Sequence, residues 1–185
     1  MKSRLNYGKV APGVYDSMDA LDQYVSKCGL EVPLLDLVRL RASQINGCAY
    51  CLDMHWKDLR ARGESEQRLY SLDAWRECPY YTERERAALA WTEAVTLITD
   101  GHVPDSLYEE VRARFSEKEL CDLTLALAAI NAWNRLSISA RLVPGAYVTN
   151  EVSAREGADI PGAPRAAARV HRSESGRRGD GTHPR

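Results

Sequence analysis

From Val14 to Leu142 apolar side chains recur every three to four positions, and runs that alternate β-branched with polar residues between turn signals are missing. That spacing restricts the chain to packed helices, and the fold reads as all-α. Punctuation divides it. A first helix covers Val14 to Lys27, with Val14, Met18, Leu21 and Val25 on one face and Gly29 beyond its end. A second starts near Pro33, where proline suits the first helical turn, and stops at Asn46-Gly47. A third begins at Cys48 and ends at Gly63. After a short helical stretch from Ser65 to Leu72, the segment AWRECPYY reads as a loop leading into Thr82-Glu83-Arg84-Glu85, a capping box. The helix it opens runs to Thr99 and turns Ala88, Trp91, Val95 and Ile98 toward the core. Gly101-His102 breaks the pattern, and Pro104 opens a helix to Phe115. Ser116-Glu117-Lys118-Glu119 is a second capping box, at the head of a helix reaching Leu142. Across LTLALAAI that last helix is apolar almost all round, which marks a central or interface-buried position and predicts an oligomer.

Beyond residue 150 the composition shifts to Gly, Ala, Pro, Ser and Arg, with no helical stripe. The expected organisation is one helical domain over 1–149 and a disordered tail over 150–185. Arg178-Gly179-Asp180 in that tail is read as a chance match to an adhesion tripeptide, and His171 and His183 as solvated. A formal charge of -1 gives no global attraction to nucleic acid or to acidic membranes. The N-terminal MKSRLNYGKVAPGVY carries no apolar run after its basic residues, so neither an export signal nor a membrane anchor is read there. A cytoplasmic location follows as the default expectation.

In a reducing compartment a close cysteine pair is more often catalytic or metal-binding than structural. Of the five cysteines, only Cys48 and Cys51 lie close together in sequence. Cys28, Cys78 and Cys121 read as small buried or partly buried residues. Residues three apart on a helix are roughly 5–6 Å from one another, inside the usual disulfide window of about 4.4–6.8 Å, so Cys48 and Cys51 can close a reversible bridge. Residues four apart lie one above the other, so the imidazole of His55 can reach the Cys51 sulfur and act as its base. Cys51 is therefore the candidate nucleophile. If Gly47 ends one helix, both sulfurs fall in the first turn of the next, where unpaired N–H groups and the helix dipole favour a thiolate. Two cysteines, a histidine and a carboxylate could also hold zinc, but the second tight ligand pair usual in such sites is absent. No βαβ pattern surrounds the pair, which sets aside a thioredoxin-like fold.

The segment Asp36-Leu37-Val38-Arg39-Leu40-Arg41-Ala42-Ser43-Gln44-Ile45-Asn46-Gly47 followed by CAYCLDMH resembles the alkylhydroperoxidase D-like (AhpD-like) branch of the carboxymuconolactone decarboxylase family. Ala129-Ile130-Asn131-Ala132-Trp133-Asn134-Arg135 is similar to another recurrent segment of that family, so the resemblance spans Val14 to Tyr147. It implies an all-helical subunit assembling into trimers or hexamers, and a CxxCxxxH dithiol that reduces hydroperoxides without a cofactor or bound metal. By position it makes Cys51 the peroxidatic thiol, Cys48 the resolving thiol and His55 part of a proton relay. A glutamate completes that relay in the family, and Asp36, a shorter acid, stands at the matching place. Tyr50 occupies a position where family members can carry a histidine. Gln44 and Asn46 line the site or cap helix ends, and Asn131, Trp133, Asn134 and Arg135 support the pocket or a subunit contact.

The function expected from these residues is that of a peroxidase or thiol–disulfide oxidoreductase, an enzyme of peroxiredoxin type. Its partners would be a hydroperoxide and an external dithiol reductant, for which the resemblance suggests a lipoyl-type molecule. Two alternatives stand beside it. One is a redox-sensing or scaffold oligomer switched by the disulfide; the other is lactone decarboxylation, which has no need of the CxxC pair.

Overall fold

Val32 and Pro33 open the helix on which the rest of the chain is built. In this computed structural model, which describes residues 2–149, the elements are α1 (Tyr7–Val10), α2 (Pro12–Val25), α3 (Val32–Asn46), α4 (Ala49–Ala61) and α5 (Glu66–Tyr70). A 3₁₀ segment (Leu72–Glu77) follows, then α6 (Glu83–Thr96), α7 (Asp105–Arg112) and α8 (Glu117–Ala140). The described residues contain no strand, so the all-α fold stands. Of the expected tail, residues 150–185 lie outside the described residues.

Helix α3 carries buried apolar residues on nearly every side, and two cores meet on it. Leu34, Leu35 and Val38 join Val25 of α2, Ala88 and Trp91 of α6, Val111 of α7 and Leu123, Leu127 and Ile130 of α8. Leu37 and Leu40 face the other way, toward Leu59 of α4, Leu69, Leu72 and Trp75 around the 3₁₀ segment, and Leu89 of α6. A helix that fills two cores has no solvated stripe, which fixes α3 at the centre. Helix α8 was the sequence's candidate for a central or interface-buried place. Its Leu123, Ala126, Leu127, Ala129 and Ile130 are buried by the subunit itself, while Cys121, Ala128, Arg135 and Ile138 face outward.

Both capping boxes form: Thr82 with Glu85, and Ser116 with Glu119, exchange side-chain and backbone hydrogen bonds at the heads of α6 and α8. Three expectations need correction. The segment AWRECPYY is not simply a loop, because Ala74–Glu77 belong to the 3₁₀ segment. Tertiary contacts order it: the Trp75 indole N–H donates to Glu93 Oε1 at 2.8 Å, and Arg86 donates to the carbonyls of Trp75, Arg76 and Cys78. Helix α6 ends at Thr96 rather than Thr99, so Ile98 is 45% exposed instead of in the core. The positive φ values of Gly101 and His102, 84° and 56°, close the turn that carries the chain away. Cys121 is exposed, whereas Cys28 and Cys78 are half-buried. The N-terminal turn α1, unforeseen in sequence, is capped by the Asn6 side chain.

Candidate active site

Gly47 adopts a left-handed conformation, φ 65°, that a side chain would strain. Through it α3 ends in a Schellman turn: the Gly47 N–H bonds to the Gln44 carbonyl at 3.1 Å and the Cys48 N–H to the Ser43 carbonyl at 3.0 Å. The turn delivers Cys48 to the N-cap of α4, where its Sγ accepts the Cys51 N–H at 3.4 Å. Cys48 and Cys51 form a disulfide with a Cα–Cα distance of 5.3 Å, the separation that helical spacing requires. A Cβ on Gly47 would meet no atom within 4 Å, so the cost of Gly47→Ala lies in the backbone alone. We expect that substitution to lower stability by about 1 kcal/mol and to slow closure of the disulfide. An unchanged urea midpoint and closure rate would show that the turn does not set the cysteine geometry.

The site is enclosed. Cys48 is 1% exposed, Cys51 2% and His55 6%. His55 follows Cys51 by one turn on α4, and neither ring nitrogen has a hydrogen-bond partner. Burial pushes the imidazole down from 6.5 to about 3, and the positive charge of Arg39 adds to the fall. The ring is neutral at physiological pH, the form that accepts a proton. Because the unfolded chain takes up that proton near 6.5, this stabilising difference is full above 6.5 and is lost as pH falls toward 3.

Asp36, 4% exposed on α3, pairs with Arg39 at 3.3 Å and with Arg62 at 2.9 Å. It makes no hydrogen bond to His55. Arg39 also lies 3.8 Å from Asp22 of α2, so it ties two helices together beside the site. Beneath the Schellman turn, Asn46 donates to Asn131 at 3.0 Å and to Asn134 at 2.8 Å, and Asn134 donates to Ser43 at 3.1 Å. Asn131 reaches Thr96 of α6 at 3.2 Å. These amides lock the C-terminus of α3 to α8 and so support the cysteine turn rather than line a pocket. Gln44 accepts from Arg41, and the Trp133 indole donates to Asp22 at 2.8 Å. Arg135 bonds back to Asn131.

Sequence reasoning missed the residues that close the other flank of α4. After α8 the chain returns over it: Asp53 accepts the Gly145 N–H at 3.0 Å, Lys57 donates to the Tyr147 carbonyl at 3.0 Å, and the Tyr147 hydroxyl donates to Asp58 at 2.7 Å. Burial raises the Asp58 carboxyl to about 6, against the Tyr147 hydrogen bond, which lowers it. Asp58 stood in the sequence at i+7 from Cys51, a signal that was available; nothing local marked Tyr147. For the zinc alternative, the described residues contain no group of three or more His, Cys, Asp or Glu placed to hold a metal ion. No helix among them is long and apolar enough to cross a membrane.

Known proteins share this fold. The model of the carboxymuconolactone decarboxylase family matches residues 12–94. The uncharacterised protein YdfG of Bacillus subtilis (strain 168) is 42% identical over 139 residues, which are 75% of this chain and 95% of YdfG. The crystal structure of ATU0492 from Agrobacterium tumefaciens, a protein of unknown function with a suggested AhpD antioxidant-defence role, superposes with a TM-score of 0.76 at 45% identity. It covers 79% of this chain and 100% of that one. The alkylhydroperoxidase AhpD core of a peroxidase-related protein from Ralstonia eutropha JMP134 superposes with a TM-score of 0.65 at 19% identity, over 73% of this chain and 72% of that one, a likeness of fold alone. With YdfG matched along nearly its whole length and ATU0492 superposed over the whole of its chain, this chain belongs to the carboxymuconolactone decarboxylase family, in its AhpD-like branch.

Proposed function

We propose that the protein is a cofactor-free peroxidase that reduces hydroperoxides through the Cys48–Cys51 dithiol. The observation that carries this reading is the closed disulfide at the N-cap of α4 with the buried, neutral His55 one turn away. His55 takes the Cys51 proton, and the thiolate attacks one oxygen of the peroxide. The O–O bond breaks, an S–O bond forms, and the alcohol leaves with a proton. Cys48 then attacks the Cys51 sulfur, the S–O bond breaks, and water departs as the disulfide closes. Asp36 serves by pairing with Arg39 and Arg62, which offsets the positive charge that opposes protonation of His55.

An external dithiol completes the cycle by attacking Cys51. The N-cap hydrogen bond to Cys48 Sγ favours charge on that sulfur, which makes Cys48 the better leaving group. With both sulfurs nearly closed to solvent, the reductant must be slender, which suits a lipoyl-type arm. A cytoplasmic homo-oligomer, trimer or hexamer, belongs to the same proposal; the exposed Leu97, Ile98 and Ile138 are apolar surface that a neighbour would cover. Peroxide consumption measured with dihydrolipoamide, dithiothreitol and a monothiol tests the reading. Many equivalents of peroxide should disappear per subunit, fastest with dihydrolipoamide. Consumption that stops after one equivalent with every reductant would leave a redox sensor instead of an enzyme.

A further inference from the structure

We propose that Asp58 is a positioning residue of the dithiol site, the carboxylate that stands behind His55 on α4 and carries its proton to and from solvent. The proposal rests on Cys51 as the reactive thiol. Cys51, His55 and Asp58 fall at i, i+4 and i+7 of one helix, within an arc of roughly 60°. Helical side chains lean toward the N-terminus, so the Asp58 carboxyl leans over His55 and His55 over Cys51. The imidazole is almost wholly buried and neither nitrogen is hydrogen-bonded, to Asp58 or to Asp36, so a carboxylate joins it only through a rotamer change or an intervening water, and helical spacing puts Asp58 one turn away for that step. Asp58 itself is half-buried, the natural exit from an enclosed ring to water.

The charges around it agree with this role. From α3 come Asp36 and Arg39, from the end of α4 Arg62, from the returning chain Tyr147, and from α2 Asp22 behind Arg39. Three carboxylates, Asp22, Asp36 and Asp58, thus share two guanidiniums, Arg39 and Arg62, so the cluster has room for one proton. Asp36 is committed to both arginines, at 3.3 and 2.9 Å. Asp58 has only the Tyr147 hydroxyl, and its midpoint of about 6 lets it exchange that proton near neutrality.

The test reads the rate at which neutral iodoacetamide alkylates Cys51 in the reduced Cys48→Ser chain between about pH 4.5 and 8.5, followed by peptide mass spectrometry. We expect the rate to rise through a limb near pH 6 as Asp58 ionises, in addition to the later thiol limb. Asp58→Asn should erase the first limb and slow alkylation at pH 7 about tenfold. Tyr147→Phe should move the limb to higher pH, because the hydroxyl that favours the carboxylate is gone, and Asp36→Asn should move it to lower pH by removing a repelling charge. Circular dichroism melts identify a variant that fails to fold, and the opposite shifts of Tyr147→Phe and Asp36→Asn then decide the matter. A limb that survives Asp58→Asn, or that disappears in Asp36→Asn alone, overturns the proposal. Alkylation consumes no peroxide, so a protein that shows the limb but does not turn over loses the peroxidase reading and keeps Asp58.

Discussion

Cys51→Ser is expected to reduce peroxide consumption to that of the blank, while Cys48→Ser is oxidised once and stalls. The two sulfurs differ by position. Cys51 has His55 one turn along the same face, whereas Cys48 lies at the N-cap with its Sγ on the Cys51 N–H. Without Cys51 no thiol adjoins the base, and catalysis loses its nucleophile outright. Without Cys48 the sulfenic acid on Cys51 finds no partner in the site and accumulates in a form that dimedone traps. Mass spectrometry after one equivalent of peroxide reads both outcomes. Equal dimedone labelling of Cys48 in Cys51→Ser and of Cys51 in Cys48→Ser would reverse the assignment. Stoichiometric zinc on the purified protein, blocking both thiols, would replace the redox reading with a metal site.

Leu127→Ala is expected to produce a large loss of stability away from the site. Leu127 is fully buried where α8 meets the core built on α2, α3 and α6. Truncating it removes three carbons and leaves a cavity whose walls are helices held by other contacts, at a cost of about 2–5 kcal/mol. For a chain of this size that corresponds to a fall in Tm of roughly 5–20 °C. The chemistry at Cys51 should persist below the lowered Tm, since the site hangs from the Gly47 turn rather than from Leu127. A Tm shift of under about 2 °C would show that the core collapses around the vacancy.

Local signals read in the sequence proved strong wherever one short segment contained the whole interaction. The two capping boxes, the Pro33 start and the Gly47 stop each close within a few residues, and each forms as expected. Placement failed where distant contacts decided it. The AWRE segment carries no helical stripe of its own, and it is ordered by Glu93 and Arg86 on α6. Ile98 continues the α6 periodicity faithfully, but the helix has already ended at Thr96 with Leu97 as its C-cap, and the turn at Gly101-His102 then carries the chain away. The sequence marked α8 as central or interface-buried because its composition is the more apolar; α3 takes the central place because both cores pack on it and no residue after Pro33 in it is exposed, while α6 joins both cores from one side.

By itself the sequence determined the all-α fold and the Cys48–Cys51 pairing, because helix geometry brings residues three apart within disulfide distance without reference to the rest of the chain; it also set His55 one turn beyond Cys51, although neither imidazole nitrogen bonds to the sulfur. Only tertiary structure decided the electrical setting of those groups. The neutral state of His55 follows from its burial between helices, and the engagement of Asp36 depends on Arg39 and Arg62 rather than on its own place in a motif. Asp58 gains its tether from Tyr147, 89 residues later in the chain. Burial and charge pairing sum over everything that folds around a group, so no local pattern encodes them.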